Sequence, residues 1–311
     1  MSDLVATLRS ASGLKRLEAS ERLSHMPAAS RIDPLAVVAL DASTPIAART
    51  NAIYMLGRCG AAATGPVARL LSDAAPEVRA AALAALAEVD PRALAPRLTA
   101  FWDDASPLVR REVVKNLRAA PDRERLLQAA LADSTSSVRR EALRMIARLP
   151  AGGWSGELAK AFTRVRIRSG AERGGLLEMM IEEEAALGAL LAAAGEPELP
   201  DAVAPLAPRL IEIAGDPDAY DTDDHVEAGK LAAELLAMVG VPRAHLGALE
   251  TLLLRVGLKR YVIEQIVFAI VKSAPDEATK IFARTLARGS HVPDEILRAG
   301  LDRARAQTRR R

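Results

Sequence analysis

An arginine followed by a helical run of apolar residues returns about every thirty positions in this chain. That recurrence constrains the fold more than any other feature. Pro76-Glu-Val-Arg-Ala-Ala-Ala-Leu83 aligns with Pro107-Leu-Val-Arg-Arg-Glu-Val-Val114 and with Ser136-Ser-Val-Arg-Arg-Glu-Ala-Leu143. A looser copy, Pro45-Ile-Ala-Ala-Arg-Thr-Asn-Ala-Ile53, carries one extra residue. The arginines are Arg49, Arg79, Arg110 and Arg139, at spacings of 30, 31 and 29. After them, apolar residues recur at helical intervals: Leu83 and Leu86, Val114 and Leu117, Leu143 and Ile146. Each copy is therefore one face of an amphipathic helix.

An aspartate stands six residues before three of the arginines: Asp73 before Arg79, Asp104 before Arg110, Asp133 before Arg139. Asp followed by Pro or a polar residue is a helix-start signal. A second apolar segment lies upstream of each start, at 67–71, 94–102 and 126–131. Each unit is thus a helical hairpin with a tight turn. A lone hairpin cannot bury its apolar face, so neighbours must stack, which predicts an all-α protein.

On these residues the chain resembles the HEAT-repeat family, in its short bacterial form with the Asp-x-x-Pro-x-Val-Arg pattern. Residues 73–79 and 104–110 carry the pattern, and 133–139 carries it with Ser136 in place of Pro. The resemblance implies an α-solenoid, a superhelix of about eight to nine HEAT-like hairpins. It also implies an inter-repeat hydrogen-bond ladder made by Asp73, Arg79, Asp104, Arg110, Asp133 and Arg139. The pattern is regular over 1–150. Over 151–311 it is irregular, with Leu149-Pro-Ala-Gly-Gly-Trp-Ser-Gly156 and Gly195-Glu-Pro-Glu-Leu-Pro-Asp201 as turn-rich interruptions. The second part is expected to continue the first.

Composition removes other classes. Half of the 311 residues are hydrophobic and only 3% are aromatic, so the apolar content is mostly Ala, Leu, Val and Ile, as closely packed helices need. No apolar run approaches the roughly 18 residues of a membrane span, and the start of the chain lacks a signal-peptide pattern. A cytoplasmic protein with no membrane partner is the expectation. The single cysteine, Cys59, lies in an apolar context and is expected to be a small buried residue.

The net charge of +2 hides segregation along the chain. Residues 1–150 carry 21 basic against 16 acidic side chains, 181–230 carry 2 against 13, and 259–311 carry 12 against 6. Fields of opposite sign are expected along the molecule. In the basic part, Arg111, Lys115 and Arg118 fall at i, i+4 and i+7, and Arg140, Arg144 and Arg148 at i, i+4 and i+8. Second helices of HEAT-like hairpins line the concave surface, so these six are expected to form a concave basic stripe for an acidic partner, extended by Arg164, Arg166, Arg168 and Arg173. A solvated helix face, with Glu112 and Glu141 interspersed, is the plainer reading.

The acidic block Asp216-Pro-Asp-Ala-Tyr-Asp-Thr-Asp-Asp-His-Val-Glu227 departs from the calcium-loop template, which requires Gly where Asp221 stands. It reads as a solvated acidic loop before a helix, with the basic end 303–311 as a candidate docking partner.

Catalytic signatures are not found. His25, His225, His245 and His291 make no zinc pattern, and none is followed by Glu as in HEAT-type di-iron hydroxylases. No Walker loop, GxGxxG or GxSxG occurs. The chain is expected to need no cofactor and no metal, and not to be an enzyme. Its expected role is a non-enzymatic scaffold binding another protein. The alternative is backbone-led nucleic-acid binding through the same stripe, or an alkylpurine DNA glycosylase-like enzyme, for which the aromatics on offer are Tyr54, Phe101, Trp102, Trp154 and Phe162. A phycobilin-lyase-like protein rests on the repeat alone.

Overall fold

The computed structural model describes residues 2–10, 12–150, 152–165, 173–216 and 227–310. The protein is all-α, a stack of helical hairpins, with two compact units, 1–142 and 143–311. In the first unit α1 (Ser2–Leu8) pairs with α2 (Gly13–Ser24), and α3 (Ala28–Leu40) with α4 (Ile46–Gly57). The short α5 (Thr64–Arg69), extended by 3-10 turns, precedes α6 (Pro76–Val89). Next, α7 (Pro91–Leu94) runs into a 3-10 stretch, Ala95–Phe101, before α8 (Pro107–Lys115). Finally, α9 (Arg123–Ala130) precedes α10 (Ser136–Ile146), which holds the division between the units.

The repeat produces this arrangement directly. Pro76 and Pro107 occupy the first turns of α6 and α8, where a missing N–H costs nothing. Inside, equivalent positions line up: Val78, Val109 and Val138; Leu83, Val114 and Leu143; Leu86, Leu117 and Ile146 are all buried. Second helices pack in a row, α4 on α6 and α6 on α8. Gly57 permits the first of these contacts, because a Cβ there would lie 3.2 Å from the Ala85 Cα.

In the second unit α11 (Ser155–Arg164) is followed by α12 (Arg173–Ala192). The pair α13 (Leu199–Val203) and α14 (Ala207–Gly215) precedes α15 (Ala228–Val239). Two further hairpins are α16 (Leu246–Leu253) with α17 (Arg260–Ser273), and α18 (Pro275–Arg288) with α19 (Asp294–Thr308). Here too the second helices form a row, α12, α15, α17 and α19. Among the described residues nine hairpins result, counting α13 and α14 as one first helix. No helix among these residues is long and apolar enough to cross a membrane.

Candidate functional site

The aspartates and arginines of the repeat meet in one direction only. Arg79 donates from Nε and Nη2 to the Asp104 carboxylate, at 2.9 and 2.8 Å. Its Nη1 turns back to the main-chain oxygens of Asp73 and Ala74, at 2.8 and 2.9 Å. Arg110 repeats this, reaching Asp133 at 2.8 and 3.0 Å and the Asp104 carbonyl at 2.8 Å. Arg139 donates to the Asp133 and Ser134 carbonyls at 2.8 and 3.0 Å. Arg79 and Arg110 thus each clamp their own turn by main-chain oxygens and the next repeat by a carboxylate. The fork geometry of arginine permits both at once.

Sequence reasoning left Arg49 out of this set. It is 3% exposed, donates to the Ala39 carbonyl at 2.9 Å, and holds Asp73 with both terminal nitrogens. Its place at the head of the arginine series was the available signal. One step earlier, Arg9 pairs with Asp41 at 2.9 Å. The carboxylates also close their own loops: Asp73, Asp104 and Asp133 accept from the N–H of Ala75, Ser106 and Thr135 at 3.0, 2.8 and 2.8 Å. Burial pulls these three carboxyls upward, but the hydrogen bonds and neighbouring guanidinium charges outweigh it and hold each below the ordinary aspartate value.

The six residues of the expected stripe do not share one helical environment. Arg111 and Lys115 lie on α8, but α8 ends at Lys115 and Arg118 sits in the 3-10 turn that follows. Asn116 causes the stop: its side-chain nitrogen donates to the Glu112 carbonyl at 2.8 Å, occupying an acceptor of the helix ladder. Arg140 and Arg144 lie on α10, and Arg148 lies beyond its end. Arg140 belongs to the first unit, Arg144 and Arg148 to the second. Lys115 is paired with Glu112 at 3.1 Å. Among the described residues Arg111, Arg118 and Arg140 have no carboxylate partner, and the Nε atoms of Arg111 and Arg140 are buried with no acceptor. In both Arg-Arg pairs, 110–111 and 139–140, the first arginine grips an aspartate's main-chain oxygen and the second does not. Arg164 is exposed at the end of α11, Arg173 opens α12, and Arg166 and Arg168 lie outside the described residues.

In the second unit the two turn-rich interruptions are bonded to each other. Glu196, 6% exposed, accepts from the N–H groups of Gly152, Trp154 and Ser155 at 3.1, 3.0 and 2.7 Å and from Ser155 Oγ at 2.5 Å. Its carboxylate therefore caps the N-terminus of α11, where the helix dipole favours negative charge. Burial works against the anion, yet these four donors hold its pKa down to about 2. Nearby, Arg209 donates to Glu183 at 2.6 Å and to the Phe162 carbonyl at 2.9 Å, its guanidinium 4.4 Å over the Phe162 ring. Burial of Glu183 outweighs the pull of Arg209 and raises its carboxyl above the ordinary value.

The remaining candidates are scattered. His25 follows α2, His245 precedes α16, and the His291 ring lies 2.9 Å from the Arg255 carbonyl. His225, with 217–226 of the acidic block, lies outside the described residues; Asp216 follows α14 and Glu227 precedes α15. No three His, Cys, Asp or Glu side chains among the described residues are grouped to hold a metal. Trp154 and Phe162 are buried, Phe101 and Trp102 are half-buried, and Tyr54 is 65% exposed on α4. Cys59 is buried, with Sγ 3.3 Å from the Met55 carbonyl.

Comparison with known proteins agrees with the repeat and adds no activity. None of the curated proteins compared matches the chain. Among solved structures, an engineered protein is similar at 19% identity, over 87% of this chain and 94% of that one, with a TM-score of 0.36. Human deoxyhypusine hydroxylase in complex with glycerol is similar at 18% identity, over 93% and 100%, with a TM-score of 0.34. A family model described as HEAT repeats matches residues 32–118 and again 63–147. Over residues 32–147, where Asp–Arg pairs join one hairpin to the next, this chain carries HEAT repeats.

Proposed function

We propose that the protein is a non-enzymatic scaffold and that the exposed side of the second helices in its first unit takes an acidic surface of another protein. One observation carries this reading: Arg111, Arg118 and Arg140 lie in the part of the chain where Arg79 pairs with Asp104 and Arg110 with Asp133, yet have no carboxylate of their own among the described residues. A cation without a partner on a rigid helical row is available for a partner's carboxylates, and such charges act mainly on association rate and specificity. The same row exposes Tyr54 on α4, and Ala80, Ala81 and Ala84 of α6 are half-buried.

Affinity capture from native lysate, comparing the unaltered protein with an Arg111→Glu, Arg140→Glu variant of equal helicity, tests the reading. A partner retained by the first and lost by the second is the expected result. Labelled duplex DNA is the counter-probe. Micromolar DNA binding whose log–log salt slope approaches about −2.7, for three phosphate contacts at roughly −0.9 each, would transfer the surface to nucleic acid.

A further inference from the structure

A groove of about 440 Å³ runs across the second helices of the C-terminal unit. Phe268 and Gln265 of α17 line it, with Met238 of α15 and Arg303 and Gln307 of α19. Lys272, one turn beyond Phe268 on the same face of α17, completes the lining. The volume is in the range of pockets that hold a small ligand or a few residues of peptide.

The polar groups here are unengaged, in contrast to those around them. Among the described residues nothing hydrogen-bonds the side chains of Gln265, Gln307 or Lys272, and Arg303 makes no ion pair. Arg303 instead lies 4.3 Å over the Phe268 ring, which holds the guanidinium in place and leaves its edge N–H groups open. The one carboxylate of the lining, Glu234, already accepts from the Tyr261 hydroxyl. On the other side of Phe268 a smaller cavity of about 240 Å³ shows the opposite condition: its arginine, Arg260, is closed by Glu264 at 3.1 Å and Glu295 at 3.2 Å. The larger groove thus combines an aromatic and a thioether surface with two open cations and two open amides. The surrounding stretch, 259–311, carries 12 bases against 6 acids.

We propose that this groove binds an extended acidic peptide segment of a partner protein. A glutamate or aspartate of the segment pairs with Lys272 and Arg303, the apolar neighbour of that residue lies on Phe268 and Met238, and the peptide main chain takes the amides of Gln265 and Gln307. Charge complementarity selects the acidic residue. Amides that both donate and accept suit a peptide backbone, which offers both kinds of group. This site stands apart from the face proposed above and can fail without it.

Fluorescence anisotropy of the full chain with a rhodamine-labelled Gly-Leu-Glu-Leu-Gly peptide tests the proposal, with Gly-Leu-Gln-Leu-Gly as the control. At about 50 mM salt the Glu peptide is expected to bind about tenfold tighter, the difference that one charge-assisted contact supplies. The Lys272→Gln, Arg303→Gln variant should bring both peptides to the same weak affinity. Lys272→Arg should retain the preference, and Arg309→Gln, outside the groove, should change nothing. All three positions are exposed, so unaltered circular dichroism is expected for each variant. Equal affinity for the two peptides, no binding of either, or a preference that survives the double variant would overturn the proposal. So would duplex DNA that binds more tightly than the peptide and is lost in the same variant.

Discussion

Replacing Glu196 by glutamine should destabilise the second unit by about 3 kcal/mol at neutral pH, and the loss should fade in acid. The carboxylate accepts four hydrogen bonds at the start of α11 while 6% exposed, and its pKa falls from 4.5 to about 2. At about 1.4 kcal/mol for each tenfold change in the proton equilibrium, that depression corresponds to about 3 kcal/mol. Because the folded value is the lower one, the contribution is complete above the ordinary glutamate range and drains away as pH falls from about 5 towards 2. Glutamine keeps the shape but turns one oxygen into an NH2 group that faces N–H donors. Trp154 donates one of the four bonds, so its fluorescence reports the site directly, and a Trp102→Phe background removes the only other tryptophan. Urea unfolding of both chains at pH 7 and pH 3 provides the assay. A loss under about 0.5 kcal/mol at pH 7, or one of equal size at both pH values, would refute the reasoning.

Three further outcomes follow from the packing and the ladder. Gly300→Ala should cost about 2 kcal/mol despite alanine's better helix propensity, because the new Cβ would meet Val267 at 2.5 Å and Phe282 at 3.0 Å; a rise in thermal midpoint would contradict this. Asp104→Asn should cost about 2 kcal/mol in urea unfolding, since it removes the charge gripped by Arg79. Asp104 lies below its ordinary value in the folded state, so the cost should be complete at neutral pH and shrink as pH falls through the carboxylate range. The Cys59 thiol, raised by burial, should react with a thiol reagent only as fast as the first unit opens, and labelling within seconds in the native protein would contradict the burial.

The class of fold was legible because it rests on periodicity. Arginine spacing located the second helices, and Asp-x-x-Pro marked the starts of α6 and α8. The direction of each contact was not legible. An Asp six residues before an Arg suggests that the two belong together, yet the guanidinium takes the main-chain oxygen of that Asp and the carboxylate of the next. The length of the basic faces was misjudged for a local reason: helical counting from Arg111 to Arg118 assumes an unbroken helix, and Asn116 ends it. Glycine and proline at 149–156 and 195–201 announced two breaks correctly as turns. That one glutamate joins them across 41 to 44 residues is a tertiary fact with no local signature.

The Asp–Arg ladder has a temporal side. Arg49, Arg79 and Arg110 each find their carboxylate 24, 25 and 23 residues further on. On the ribosome each of these three guanidinium groups therefore emerges before the aspartate that completes it, and its contact stays open until the next repeat is translated. Synthesis therefore lets these three contacts close only in chain order, the one nearest the growing end last.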